Sequence, residues 1–364
     1  MAPYSSFRKL LDFPFLEFVR SCFGTRPSYV EKAMRIAIAS LLLAMTLRLG
    51  AAVGIMPAAA QTFTEFILPT PASRPSAITT GPDGALWFTE FGGKIGRITT
   101  QGSITEFPIK GDGILHSITA GPDGALWVTE FTSKKIGRIP TTATAENLEL
   151  IEFTLPGSPA PFGITTGPDG ALWFTEGIGG KIGRITTTGV VTEFTIPAAK
   201  SGEIAAGPDG ALWFTYVRGK IGRITTTGAV TEFTIPPENS SAGGITTGPD
   251  GALWFTESVS GKIGRITTDG KISECALPNP HAQPWGITTG PDGALWFTEA
   301  SCIREPGSRC IVGNKIGRIT TTGLVTEFTI PSDGSGPHSI TTGPDGALWF
   351  TEYYGSRVGR LVLP

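Results

Sequence analysis

One string, Gly-Pro-Asp-Gly-Ala-Leu-Trp-Phe-Thr-Glu, recurs seven times with few changes along this chain of 364 residues. The copies begin at Gly81, Gly121, Gly167, Gly207, Gly248, Gly290 and Gly343, so successive copies lie 40 to 53 residues apart. This period is typical of one four-stranded blade of a β-propeller. Helical periodicity is absent from residue 62 onward. The sequence therefore predicts an all-β fold, a seven-bladed propeller of four-stranded blades.

A single repeat already divides into four short strands. In the third copy the strand-like runs are residues 162–166, 171–176, 181–187 and 190–196. They are separated by Gly-Pro-Asp-Gly and Thr-Gly, in which proline presets φ and glycine accepts a positive φ. The second run, Ala-Leu-Trp-Phe-Thr, has little polar alternation, which predicts that both of its faces are covered by neighbouring blades.

The two ends of the repeat region are complementary. After Trp349 the chain supplies only one more strand, so the seventh blade lacks its outer strand. The missing Thr-Glu-Phe-x-Ile-Pro run occurs instead ahead of the first full repeat, as Thr64-Glu65-Phe66-Ile67-Leu68-Pro69. We expect the N-terminal strand to pair with the C-terminal blade and remove the open sheet edge.

The first 60 residues have the pattern of a leader, and residues 61–364 form the propeller. An apolar run from Ile36 to Leu47 follows Lys32 and Arg35, and small residues precede Gln61. This arrangement predicts an export signal, with Met34 as a candidate start, and a periplasmic or secreted protein without a stable membrane anchor after cleavage.

Charge and cysteines restrict the partners and the chemistry. The net charge of −2 and the lack of a basic stripe give no reason to expect nucleic acid, and we expect a monomer. Cys275 replaces a phenylalanine of the repeat and is interpreted as a buried apolar residue. Cys302 and Cys310 lie in the longest insertion, where an oxidising compartment predicts a local disulfide.

One face of the disc varies between blades, and variable loops on a rigid frame are where ligands usually bind. The residues that enter the first strand of each blade are Ser76, His116, Phe162, Gly202, Gly243, Trp285 and His338. The second strand ends in a glutamate in six blades and in Tyr216 in the fourth. Carboxylates at this face would suit a hard divalent cation. Equally, a residue present in almost every blade can belong to the hydrogen bonding of the repeat itself.

The repeated motif and its continuation, Gly-Lys-Ile-Gly-Arg-Ile-Thr and Thr-Glu-Phe-Thr-Ile-Pro, resemble those of the virginiamycin B lyase (streptogramin B lyase) family over Phe63 to Pro364. The resemblance implies a magnesium-dependent carbon-oxygen lyase that linearises cyclic depsipeptide antibiotics by β-elimination and so confers antibiotic resistance. A general base removes a proton α to a carbonyl while the metal steadies the developing enolate.

The site residues of that family are matched only in part. His338, after Pro337, matches the catalytic base, and Glu352 matches one metal-bound glutamate. The second metal glutamate is replaced by Gly336. Trp285 stands where the resemblance implies a substrate-contacting histidine, and Ser76 where it implies a tyrosine. With His116, these two are our candidate substrate-binding residues.

Two further functions fit the same face. The first is a non-catalytic, extracytoplasmic binding propeller for a peptide, glycan or wall component. The second is a lactonase-like hydrolase, for which the sequence lacks an obvious Asn/Asp set. An oxygen ligand in place of the carboxylate missing at Gly336 would favour the lyase.

Overall fold

A computed structural model describes residues 61–109, 113–140, 148, 150–157, 160–197, 200–236, 240–300, 302–303 and 311–364. The predicted leader and Cys310 lie outside the described residues, so the export signal and the Cys302–Cys310 disulfide stay predictions. Residues Gln61–Pro364 form one compact unit. None of the described residues belongs to a helix that is long and apolar enough to cross a membrane.

Seven four-stranded antiparallel sheets confirm the predicted propeller. The chain begins with β1 (Thr62–Ile67). Blade 1 consists of β2 (Pro75–Thr80), β3 (Leu86–Glu90), β4 (Lys94–Ile98) and β5 (Ile104–Pro108). Blade 2 consists of β6 (Leu115–Ala120), β7 (Ala125–Glu130), β8 (Lys135–Pro140) and β9 (Ile151–Thr154). Blade 3 consists of β10 (Pro161–Thr166), β11 (Leu172–Glu176), β12 (Lys181–Ile185) and β13 (Val191–Thr195).

The remaining blades repeat this order. Blade 4 consists of β14 (Ser201–Ala206), β15 (Leu212–Tyr216), β16 (Lys220–Ile224) and β17 (Val230–Thr234). Blade 5 consists of β18 (Ala242–Thr247), β19 (Leu253–Glu257), β20 (Lys262–Ile266) and β21 (Ile272–Ala276). Blade 6 consists of β22 (Pro284–Thr289), β23 (Leu295–Glu299), β26 (Lys315–Ile319) and β27 (Val325–Thr329), with the pair β24 (Cys302–Ile303) and β25 (Ile311–Val312) in its insertion. Blade 7 consists of β28 (Pro337–Thr342), β29 (Leu348–Glu352) and β30 (Arg357–Val362), completed by β1.

The closing strand pairs as expected. β1 runs antiparallel to β30, with Thr62 opposite Val362 and Ile67 opposite Arg357. Phe66 stacks on Trp349 with ring centroids 5.6 Å apart. The N-terminal strand therefore covers the edge that blade 7 would otherwise expose.

The second strand of each blade is buried on both faces, as predicted. In blade 3 every residue of β11 is buried, and Trp173 packs with Leu212 and Phe214 of blade 4. The glycine of the third strand makes room for this packing, because a Cβ at Gly183 would lie 2.0 Å from the ring of Phe174. The core thus consists of seven apolar layers between adjacent blades.

The Gly-Pro-Asp-Gly turn also ties two strands together. Asp169 accepts a hydrogen bond from Trp173 Nε1 at 2.9 Å and from Arg184 Nε at 2.6 Å. The same Asp-Trp-Arg arrangement occurs in all seven blades. The arginine of Lys-Ile-Gly-Arg-Ile is therefore a half-buried structural residue.

Cys275 differs from expectation. It is half-buried and free, and it packs at the border of the core layer between blades 5 and 6.

Candidate active site

A cavity of about 500 Å³ opens on the variable face of the disc. Four of the five predicted site residues lie in its wall: Ser76, His116, Trp285 and His338. They come from β2, β6, β22 and β28, the innermost strands of four blades. Because each of these strands enters its blade at the same height, residues that are far apart in sequence meet around one opening. The structure thus confirms that these four positions share a face.

His338 is half-buried in this wall. Its Nδ1 lies 3.3 Å from the backbone oxygen of Ser76. A carbonyl oxygen only accepts, so this contact favours the tautomer with the proton on Nδ1 and leaves Nε2 to accept a proton. Withdrawal from water lowers the pKa of His338 to about 4. The imidazole is therefore neutral at pH 7.

Aromatic rings surround His338. The ring centroid of Trp285 lies 5.3 Å from that of His338. The ring centroid of Tyr353 lies 5.8 Å from that of His338. Tyr353 in turn contacts Tyr354 and Phe91, edge to face. This wall suits the apolar or aromatic part of a ligand.

His116 and Ser76 have mainly structural contacts. The ring of His116 lies 3.6 Å from that of Phe162, and its Nδ1 is buried without a hydrogen-bond partner among the described residues. Burial, and then the nearby His338, lower the pKa of His116 to about 3. The Ser76 backbone oxygen also accepts a hydrogen bond from Thr351 Oγ1 at 2.6 Å, which joins blades 1 and 7 beside His338.

Glu352, the predicted metal ligand, lies elsewhere. Its side chain is fully buried, and it is absent from the residues that line the cavity. The nearest basic group is Arg357, whose Nη1 lies 3.8 Å from Glu352 Oε2. Burial, and then the charge of Glu65, raise the pKa of Glu352 to about 8. The neutral carboxylic acid therefore predominates at pH 7.

The other five glutamates that end a second strand share this environment. All are buried, and burial raises the pKa in each case, to about 7 where the shift is largest: Glu90, Glu130, Glu176, Glu257 and Glu299. Each faces a glutamate of the fourth strand that is paired with the lysine of the third strand. They are part of the repeat, and they do not converge on the cavity.

Tyr216 takes the place of this glutamate in blade 4. It is buried and faces Glu232, and burial followed by the interaction with Glu232 raises the pKa of the tyrosine. A phenol stays protonated at neutral pH. One blade thus carries a permanently neutral group where the others carry a carboxyl with a raised pKa.

Magnesium, implied by the resemblance, finds few oxygen ligands here. Among the described residues, no three His, Cys, Asp or Glu side chains are grouped so as to hold a metal ion. Gly336 lines the cavity but brings no side-chain oxygen, and with a φ of 58° a glutamate there would need a left-handed backbone. Magnesium requires octahedral oxygen coordination. This donor set does not fit the ion, and the magnesium dependence stays a prediction.

Sequence reasoning missed five residues of the wall. The loops of blades 1, 5 and 6 contribute them: Phe91, Ser258, Val259, Gln283 and Ala300. It also passed over Glu203 in β14, which lines a smaller cavity beside the first. The signal was present, since Glu203 replaces a small residue of the repeat.

Comparison with known proteins agrees with this architecture. The sequence profile described as the virginiamycin B lyase family matches residues 42–198, 111–304 and 310–363. These overlapping matches cover most of the chain, including all seven copies of the repeated string.

Three solved structures are similar over the propeller. Selenomethionine-substituted virginiamycin B lyase from Staphylococcus aureus is 39% identical, with a TM-score of 0.76, over 84% of this chain and 100% of that one. A streptogramin B lyase is 37% identical, with a TM-score of 0.76, over 84% of this chain and 98% of that one. A catalytically inactive histidine-to-alanine variant of the Staphylococcus aureus enzyme, with quinupristin, is 38% identical, with a TM-score of 0.75, over 84% and 100%.

Proposed function

Since the chain belongs to the virginiamycin B lyase family, we propose that it is an exported lyase that opens a cyclic ester, such as a cyclic depsipeptide, by β-elimination. The observation that carries the proposal is His338, a neutral imidazole in the wall of the cavity with its Nδ1 against a backbone carbonyl. One solved relative loses activity when a histidine is replaced by alanine.

In the proposed reaction Nε2 of His338 takes a proton from the carbon next to the one that bears the ester oxygen. The electron pair of that C–H bond forms a carbon-carbon double bond, and the carbon-oxygen bond breaks. The ring opens to an alkene and a carboxylate, and His338 returns the proton to solvent. We route no step through a metal ion, because the described donor set does not fit one.

The test uses the mature protein and a panel of cyclic depsipeptides and lactones, with and without magnesium. We expect a ring-opened product of unchanged mass, since elimination adds no water. His338→Ala should lower kcat/KM by about 100-fold or more, the usual contribution of a general base. The control is His281→Ala, which removes an exposed histidine that does not line the cavity.

A product heavier by one water would instead indicate hydrolysis. Full activity of His338→Ala would remove His338 from the mechanism. Because the pKa of His338 lies near 4, the acid limb of kcat/KM should fall near pH 4 and not between pH 6 and 7. A pH profile of the wild type checks this.

A binding propeller for a peptide, glycan or wall component is the second candidate. Gly336 favours it, because the family's second glutamate is missing while the aromatic wall of Trp285 and Tyr353 remains. Ligand binding by the wild type without opening of any ester in the panel would support this function over the lyase.

The proposal also includes export of the protein from the cytoplasm. If the leader is cleaved before Gln61, the protein recovered from outside the cytoplasm begins there, with β1 intact one residue later. N-terminal sequencing of that protein measures the cleavage site. A cytoplasmic protein with an intact leader would refute this part alone.

A further inference from the structure

Glu203 occupies an exceptional position in blade 4. It lines a cavity of about 160 Å³ that is bounded by the innermost strands of the blades. At the same position of the repeat the other blades carry small residues: Ala77, Ser117, Gly163, Gly244, Gly286 and Ser339. Only blade 4 therefore places an ionisable side chain at this level of the central opening.

The carboxyl of Glu203 has no polar partner among the described residues. It lies against Gly163 of blade 3, where an added Cβ would be 2.9 Å from Glu203 Oε2. Burial alone raises its pKa, to about 7, with no hydrogen bond or charged neighbour to oppose it. A half-buried carboxyl without a partner costs free energy. Packing does not explain why a glutamate stands here, since a glycine fills the same position in three blades.

The small cavity adjoins the large one on the variable face. Four residues line both: Ser76, His116, Trp285 and His338. The two histidines are neutral near pH 7 because their pKa values are lowered to about 3 and about 4. Among the described residues that line either cavity, only Glu203 can then carry a charge at pH 8. The two cavities together offer an aromatic wall and one carboxylate at its base.

We propose that these cavities bind an organic cation, with its protonated amine at Glu203 and its apolar body against Trp285 and Tyr353. A carboxylate in a half-buried setting forms a strong, charge-assisted hydrogen bond with an ammonium group. The aromatic rings of Trp285 and Tyr353 pack against the cation's apolar body. A single carboxylate suits an ammonium group better than a metal ion, which needs several ligands. This inference concerns binding and stands apart from the elimination reaction.

The experiment compares phenethylamine with 2-phenylethanol, which has the same shape and no charge. Calorimetric or NMR titration of the mature protein at pH 8 gives the two dissociation constants. We expect the amine to bind about tenfold more tightly, the size of one charge-assisted hydrogen bond. Glu203→Gln keeps the size of the side chain and should abolish this preference. Asp333→Asn is the matched control, because it removes an exposed carboxylate from the same face outside both cavities.

A second measurement needs no variant. With a pKa of about 7, the ionised fraction of Glu203 rises about tenfold from pH 6 to pH 8. The other titratable side chains that line the small cavity, His116 and His338, do not titrate in this range. The preference for the amine should therefore grow with pH. Equal binding of the two probes, a preference that does not change with pH, or a preference that persists in Glu203→Gln would each overturn the proposal.

Discussion

Single buried residues decide how this protein responds to pH. Glu352 has a pKa raised from 4.5 to about 8, because its side chain is fully buried and faces Glu65. A group whose pKa is higher in the folded state stabilises the fold at low pH, and that contribution is lost as the pH rises through the folded pKa. The contribution of Glu352 to the stability of the fold is thus lost between about pH 4.5 and about pH 8.

We predict that Glu352→Gln removes this dependence. The amide imitates the neutral carboxylic acid, so the variant should gain stability relative to the wild type by about 3 kcal/mol between pH 5 and pH 8. Chemical denaturation of both proteins at several pH values measures the difference. A difference that does not change with pH would show that Glu352 is ionised in the folded protein.

A second residue-scale prediction concerns the glycine of the third strand. Gly183→Ala places a Cβ 2.0 Å from the ring of Phe174, which must move within a packed layer. We expect a loss of about 1 to 3 kcal/mol in the free energy of unfolding, the usual cost of overpacking. Gly92→Ala is the control, because a Cβ there meets nothing within 4 Å. Thermal unfolding of both variants checks the prediction, and equal melting temperatures would contradict it.

At the scale of the element, the strand that closes the ring, β1, is the most sensitive to substitution. Phe66 of β1 stacks on Trp349, whereas the neighbouring Ile67 is 73% exposed. Phe66→Ala should lower stability by about 2 kcal/mol, as expected for a partly buried ring, and Ile67→Ala by less than about 0.5 kcal/mol.

Removal of the whole strand should have a larger effect. Deletion of residues 61–69 leaves β30 as an open edge, so we expect a much lower melting temperature and aggregation. Light scattering during thermal unfolding measures both. A truncated protein that stays monomeric and melts with the wild type would show that β1 does not close the ring.

The strands could be predicted because every copy of the repeat contains the residues that form its turns. Proline and glycine at fixed positions set the strand bounds to within two residues, as in β11, which begins at Leu172 where Ala171 was expected. The direction of side chains at strand ends was harder to predict. Glu352 and His338 belong to adjacent strands of one blade, yet the side chain of Glu352 is buried beside Glu65 and Arg357, and His338 lines the cavity. The pleat of a strand determines the face on which each side chain lies. A bulge between Pro337 and Ile340 shifts this alternation in β28.

At the scale of the whole molecule, the ring has no unique starting point. Thr62 lies opposite Val362, so the two ends of the propeller are neighbours and a short hairpin loop can join them. A circular permutant with new ends in the turn at Thr188 should therefore fold into the same seven sheets. We expect its stability to lie within about 2 kcal/mol of the wild type. Circular dichroism and denaturant unfolding provide the measurement, and an unfolded permutant would contradict it.

The pairing of β1 with β30 also has a consequence in time. Synthesis produces β1 before any blade exists, and its partner β30 follows only after the strands of the other six blades. Six blades can assemble in order before β1 finds its partner. Closure is then the last step in forming the ring, and it makes the survival of the newly made protein depend on β30.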